Sequence, residues 1–304
     1  MEIVLRLIPT FLLIGLGYVL KRTKAFDADL GRTLLKFIFL VAAPALTLRS
    51  ITQLHLDSSL ITFLLLPVAL TVLSYILVKP LEKKMHLNPK QFAVFLMATM
   101  IVNSGFTLPF VVSLAGDEGA ARVALFNVTN NLMVFGWVYS IAIGYGEKGK
   151  LSKSEVLKKV FLSPAIVALL IALLLNISHT SIPTTLTPTV SFLADLTNPL
   201  ILIALGLILE LKLMHPVQTL QSLLFRMVGG LTVGLLFVKL FSLTGVNMLT
   251  ALILSASPVG FNAVTFSSLE KLDDEFAASI VSMGLITGLI FISMLTIILG
   301  MAVL

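Results

Sequence analysis

Residues 97–109 read MATMIVNSGFTLP and residues 254–262 read LSASPVGFN, and in each a small, polar, proline-bearing centre interrupts an apolar run. Pro109 has no N–H to offer the carbonyl of Gly105, and Pro258 has none for Leu254. A helix through either stretch therefore loses an internal hydrogen bond, and the glycines lower its resistance to bending. The pattern predicts helix breaks over Gly105–Pro109 and Ser257–Gly260. Backbone groups freed in hydrocarbon are costly, so such breaks persist only where they are packed in protein or line a cavity.

Working outward, the surrounding chain has the composition of a membrane protein. Of its 304 residues 58% are hydrophobic and 12% charged, with a mean hydropathy of +1.06, whereas soluble domains carry about 25% charged residues. Spanning a bilayer as a helix takes roughly 20 mainly apolar residues. Ten such runs follow one another, at residues 2–20, 30–50, 59–78, 91–115, 119–145, 160–176, 190–209, 218–241, 247–269 and 276–303. The first is followed by Lys21, Arg22 and Lys24 rather than a cleavage site, and reads as a retained helix.

Basic residues crowd alternate connections. Lys21, Arg22, Lys24 and Arg32 follow the first run, Lys79, Lys83, Lys84 and Lys90 the third, and Lys148, Lys150, Lys153, Lys158 and Lys159 the fifth; Lys212 and Lys271 mark the next two on that side. The positive-inside rule places these connections in the cytoplasm and both termini outside, in a multi-pass protein of the cell membrane, plasma or inner. The net charge of +6 then reflects topology and contact with the lipid bilayer rather than nucleic acid. There is no cysteine, which excludes disulfides and thiolate chemistry. The histidines His55, His86, His179 and His215 lie at or near loops without metal-ligand spacing. Neither an enzyme, a metal nor a cofactor is expected, beyond H+ or Na+ as a coupling ion.

The interrupted stretches belong to a repeat. Pro44 and Pro199 are 155 positions apart, as are the pairs Gly105-Phe106 and Gly260-Phe261, and Asp117-Glu118 is answered by Asp274-Glu275. Five runs lie on each side of the basic stretch, so the second half enters the membrane from the opposite face. The reading is an all-α protein of ten transmembrane helices in two inverted five-helix repeats, residues 1–147 and 160–304, joined by a basic cytoplasmic linker at 148–159. Inverted repeats recur in secondary transporters, with the site near the midplane where the halves meet.

Asn103, Gly105, Thr107 and Pro109 in the fourth run, and Ser257, Pro258, Gly260 and Asn262 in the ninth, are therefore the candidate substrate-binding residues. Half-helix N-termini at such breaks favour an anion, and unwound carbonyls a cation or proton donor. Asn127, Asn130 and Asn131 share a face of the fifth helix, where buried amides either contact substrate or join helices. Three charges lie inside apolar runs. Lys36 and Arg226 can snorkel to the interface, while Asp195, with Asn198 one turn on, is either interfacial or a coupling or substrate residue.

These residues resemble the auxin efflux carrier family, which includes plant auxin carriers and bacterial malate or malonate permeases. The likeness is carried by Gly15-Leu16-Gly17-Tyr18 before Lys21-Arg22, by Pro44, Asn103-Ser104-Gly105-Phe106 and Gly116-Asp117-Glu118-Gly119, and by Asn198-Pro199, Ala204-Leu205-Gly206 and Ser257-Pro258 with Asn262. It implies that broken helices four and nine cross, and that a small organic anion such as a carboxylate or auxin-like acid is moved by an elevator-like motion. Its site residues map onto Asn103, Gly105, Pro109, Pro258 and Asn262, and a homodimer is a possible assembly. The segment Phe106–Pro109 departs from the family by lacking a second glycine. Two alternatives stand beside this reading: a sodium-coupled carrier like the bile acid symporters, and a membrane receptor that binds without transport.

Overall fold

The computed structural model describes residues 2–55, 58–146, 162–209 and 213–303. The basic stretch at 148–159 and Lys212 lie outside them. Regular structure among the described residues is helical: α1 (Glu2–Arg22), α2 (Ala28–Thr52), α3 (Ser58–Lys84), α4 (Pro89–Met100), α5 (Ser104–Leu132), α6 (Tyr139–Tyr145), α7 (Pro164–Ile177), α8 (Thr187–Ile208), α9 (Pro216–Leu240), α10 (Gly245–Ser255), α11 (Asn262–Leu269) and α12 (Asp274–Val303). Five of these, α2, α3, α8, α9 and the 274–301 part of α12, are long and apolar enough to cross a membrane; α7 and α10 are apolar but shorter. Large apolar side chains face outward along them, among them Leu174, Phe192, Leu236 and Met301. In water such a surface would drive aggregation, whereas in a bilayer it is the solvated face.

Local chemistry explains several helix ends. Asn88 and Gln91 form a reciprocal capping box at α4, with Pro89 in the first turn where its missing N–H is harmless. Asp27 caps α2 through Leu30 N, and Ser163 caps α7 through Ile166 N. Three π-helical turns interrupt the α-helical rise: Ile38–Ala42 in α2, Met133–Val138 between α5 and α6, and Leu224–Gly229 in α9. The first lies just before Pro44, which cannot bond the Leu40 carbonyl, and the widened turn closes through Ala43 N to Ile38 O. Helix α5 turns sharply at Gly116, whose φ of 53° and ψ of −143° suit glycine alone. Asp117 is thereby directed back toward α2.

Helix α8 packs along α1 and α2, and α7 against the second half of α2; α3, α4, α5, α9, α10, α11 and α12 pack among themselves, with α5 also meeting α1, α2, α7 and α8, and α12 also meeting α1. The α1–α8 contact explains the glycines at 17 and 206. A Cβ on Gly206 would sit 2.1 Å from the Ile14 carbonyl oxygen, and one on Gly17 would sit 2.2 Å from that of Ile203. Substituting Gly206→Ala forces the two helices apart and is expected to cost about 1–2 kcal/mol through overpacking. The check is thermal unfolding of detergent-purified protein, where an unchanged midpoint would contradict the close packing.

Candidate functional site

The two interrupted stretches meet. Val102 and Val259 form an antiparallel bridge between the ends of α4 and α10. Asn103 N donates to Pro258 O at 3.1 Å, and Gly260 N donates to Ile101 O at 3.3 Å. Two of the backbone groups freed at each break are thus satisfied by the other break, as an apolar surrounding favours. The side chain of Asn103 ties the junction further, its Nδ2 donating to Val259 O at 3.2 Å while its Oδ1 caps α5 by accepting from Phe106 N at 3.1 Å. Ser257 Oγ accepts from Asn103 N at 2.8 Å.

The first break is not where proline placed it. Helix α4 ends at Met100 and α5 begins at Ser104 with Asn103 as its cap, so the break covers residues 101–103 and Pro109 lies inside α5. Capping by Asn103 is a local bond that starts a helix outright, and it outweighs a single missing bond at Pro109. The second break does contain its proline, since α10 ends at Ser255 and α11 begins at Asn262.

A cavity of about 390 Å³ opens beside the crossing. Asn103, Gly105, Asn127, Asn131, Gly260 and Asn262 line it, together with Asn130 and Ser104. Thr107, Pro109, Ser257 and Pro258 do not; Thr107 and Ser257 are fully buried, and all four lie in the helix or crossing behind the wall. Sequence reasoning missed the α2 wall, where Phe39, Leu40, Ala43, Leu46 and Thr47 face the cavity from the π turn and the Pro44 region; Pro44 was the available signal. None of the described lining residues is charged. The polar groups are amides and hydroxyls, and the first turns of α5 and α11 both open onto the space. N–H groups of a first turn lack partners within the helix and carry partial positive charge. Asn130, 5% exposed, lines the cavity with an Oδ1 that meets no donor among the described residues.

The charges inside apolar runs have other surroundings. Asp195 and Asn198 lie away from the cavity lining. Asp195 Oδ1 is 2.8 Å from Arg49 Nη1, and Arg49 also reaches Asp117, with Nε 2.8 Å from Oδ2 and Nη2 donating to Oδ1 at 3.0 Å. Asn198 has a buried Oδ1 without a partner among the described residues. Lys36 is exposed, whereas Arg226 is wholly buried. Arg226 does not snorkel: Nη2 donates to Ser255 O at 2.6 Å, Nε to Ser257 O at 3.2 Å and Nη1 to Thr99 O at 3.3 Å. Three carbonyls at the ends of α4 and α10 replace the water that the guanidinium gives up.

Comparison with known proteins gives a consistent result. A family model described as a membrane transport protein matches residues 2–298. An uncharacterized transporter of Methanothermobacter thermautotrophicus is 25% identical over 301 residues, covering 96% of this chain and 97% of its own. A second uncharacterized transporter, from Methanocaldococcus jannaschii, is 22% identical over 283 residues, covering 88% and 89%.

Proposed function

The chain belongs to the membrane transport protein family, that of the auxin efflux carriers, and from that membership we propose that it carries a small organic anion across the membrane by alternating access. The observation that carries this reading is the uncharged, amide-lined cavity onto which the first turns of α5 and α11 both open. Helix N-termini hold anions through free N–H groups and the helix dipole, without a fixed lysine or arginine at the ligand. That suits a carrier, which must bind its cargo and also release it.

The proposed architecture has ten spans in two inverted halves, with both termini outside. It is supported by the reciprocity of the crossing: in the bonds Asn103 N to Pro258 O and Gly260 N to Ile101 O the two donors are 157 positions apart and so are the two acceptors, the offset that also separates Asp117-Glu118 from Asp274-Glu275. A pseudo-twofold axis through Val102 and Val259 would produce this pattern, and inverted repeats give a carrier two related states for its inward- and outward-facing forms. The elevator-like motion would then shift the crossing and its cavity against α1, α2, α7 and α8.

Proteoliposomes containing the purified protein test the function: saturable uptake of a carboxylate such as malonate, or of an auxin-like acid, is expected, and no saturable flux of any of them would refute the anion assignment. Repeating the uptake with imposed H+ and Na+ gradients separates the two coupling ions. Asn262 gives a residue-level test. It lines the cavity and its side chain hydrogen-bonds to no described residue, so Asn262→Ala should leave the thermal midpoint unchanged while weakening carboxylate binding by about 10- to 100-fold, the loss of one hydrogen bond to a charged group. Unchanged affinity would remove Asn262 from the site.

A further inference from the structure

Arg226 is the largest fully buried side chain in the described protein, and the cavity lining does not include it. Its surroundings are unusual for a buried cation. No carboxylate lies within ion-pairing distance among the described residues; its partners are the three carbonyls of Thr99, Ser255 and Ser257. Thr99 belongs to the last turn of α4, and Ser255 ends α10. Last-turn carbonyls have no partner within their own helix and form the negative end of its dipole. One guanidinium therefore caps the incoming halves of both broken helices at once. The π turn Leu224–Gly229 carries Arg226 itself, and such widened turns often mark functional positions.

The carbonyls supply only partial negative charge, so the unit charge of Arg226 is not cancelled locally. It is also close to the cavity by bonding. Arg226 Nε donates to Ser257 O at 3.2 Å, Ser257 Oγ accepts from Asn103 N at 2.8 Å, and Asn103 and Ser104 line the cavity. In a low-dielectric interior a charge one residue behind the wall is weakly screened.

We propose that Arg226 is the positioning residue of the crossing and the source of fixed positive potential in its cavity: it clamps the ends of α4 and α10 and makes the uncharged cavity select anions from behind its wall. The inference deepens the transport reading and rests on that cavity being its site. It also explains how a cavity without charged walls favours an anion while leaving no direct ion pair to break on release.

The test exploits the absence of cysteine. Ser104→Cys places one thiol in the cavity of the full-length protein, and its rates of modification by a sulfonate-bearing and a trimethylammonium-bearing methanethiosulfonate are compared. Both reagents need the same thiolate, so the ratio of their rates cancels thiol reactivity and reports local potential. The sulfonate is expected to be favoured relative to an exposed control cysteine, and Arg226→Gln in the same background should lower that preference on the order of tenfold. Arg226→Lys, which keeps the charge but cannot span three carbonyls, should retain the preference while lowering the thermal midpoint. Should the Gln variant fail to fold, the Lys variant still decides: a sulfonate preference equal to that of the exposed control in Arg226→Lys overturns the proposal, as does an unchanged ratio in Arg226→Gln. If no carboxylate binds or moves but the ratio still follows the charge at 226, the organic-anion reading fails and the assignment of Arg226 stands.

Discussion

Asn103→Ala is expected to lower the stability of the protein by about 2–4 kcal/mol. Two effects with separate origins add up to this figure. Loss of the side-chain cap on α5 removes the bond to Phe106 N, an N-cap effect of about 1 kcal/mol. Loss of Nδ2 leaves Val259 O without its side-chain donor in a fully buried position, and an orphaned buried acceptor costs about 1–3 kcal/mol. The backbone bonds of residue 103 to Pro258 and Ser257 are unaffected in kind, so the crossing should survive in weakened form. Thermal or denaturant unfolding in detergent measures the loss, and Asn103→Ser should recover the capping part only. A midpoint equal to that of the wild type in Asn103→Ala would show that the crossing does not depend on this amide. The consequence for function is that weaker ligand binding in Asn103→Ala mixes contact with architecture, whereas in Asn262→Ala it reports contact alone.

The difference between these two asparagines shows how far the sequence could be read. Hydropathy and length located the five long apolar helices α2, α3, α8, α9 and α12, because the bilayer enforces a minimum span, but they did not show that the fourth and fifth runs share one helix, α5, bent at Gly116. The matching Gly105 and Gly260 drew attention to both breaks, but placed the first several residues too late. Proline is visible in sequence as a missing donor, whereas the cap at Asn103 competes with it through a bond whose value depends on what the break meets, here Val259 and Pro258 from 155 residues away. Arg226 was misjudged for the same reason. Nothing around residue 226 indicates that carbonyls from the ends of two other helices and from the break between α10 and α11 converge on it, and a long basic side chain in an apolar run ordinarily reaches for the interface. Asn127 and Asn131 could be placed together because they share one helix face, which is a local property. The α2 wall was harder to foresee, since it depends on a π turn that rotates Phe39 and Leu40 relative to an ideal helix.

Arg49 shows the same dependence on tertiary partners, and its two carboxylates should prove very unequal. The sequence singled out Asp195 as the charge of interest, yet Asp195 is 70% exposed at its side chain and makes one contact to Arg49, while Asp117 is 32% exposed and makes two. Exposed single contacts are screened by water and salt and contribute about 0.2–1 kcal/mol. One hydrogen bond from Nη2 plus the close, unaligned approach of Nε, from a guanidinium that is itself 19% exposed, lies between that range and the larger values of buried pairs. A double-mutant cycle with Arg49→Met and Asp117→Asn should therefore give a coupling of about 2 kcal/mol, against about 0.5 kcal/mol or less for Arg49→Met with Asp195→Asn. Raising the salt should erase the second coupling and only reduce the first. The geometry makes the inequality meaningful: Arg49 and Asp195 lie on α2 and α8, which pack together, whereas Asp117 follows the Gly116 turn of α5. A shift of α5 against α2 and α8 would break the Asp117 pair and leave the Asp195 pair intact, so the stronger coupling is the one that holds the present arrangement. Equal couplings, or a larger one for Asp195, would falsify that view of the clasp and return Asp195 to consideration as the functional acid.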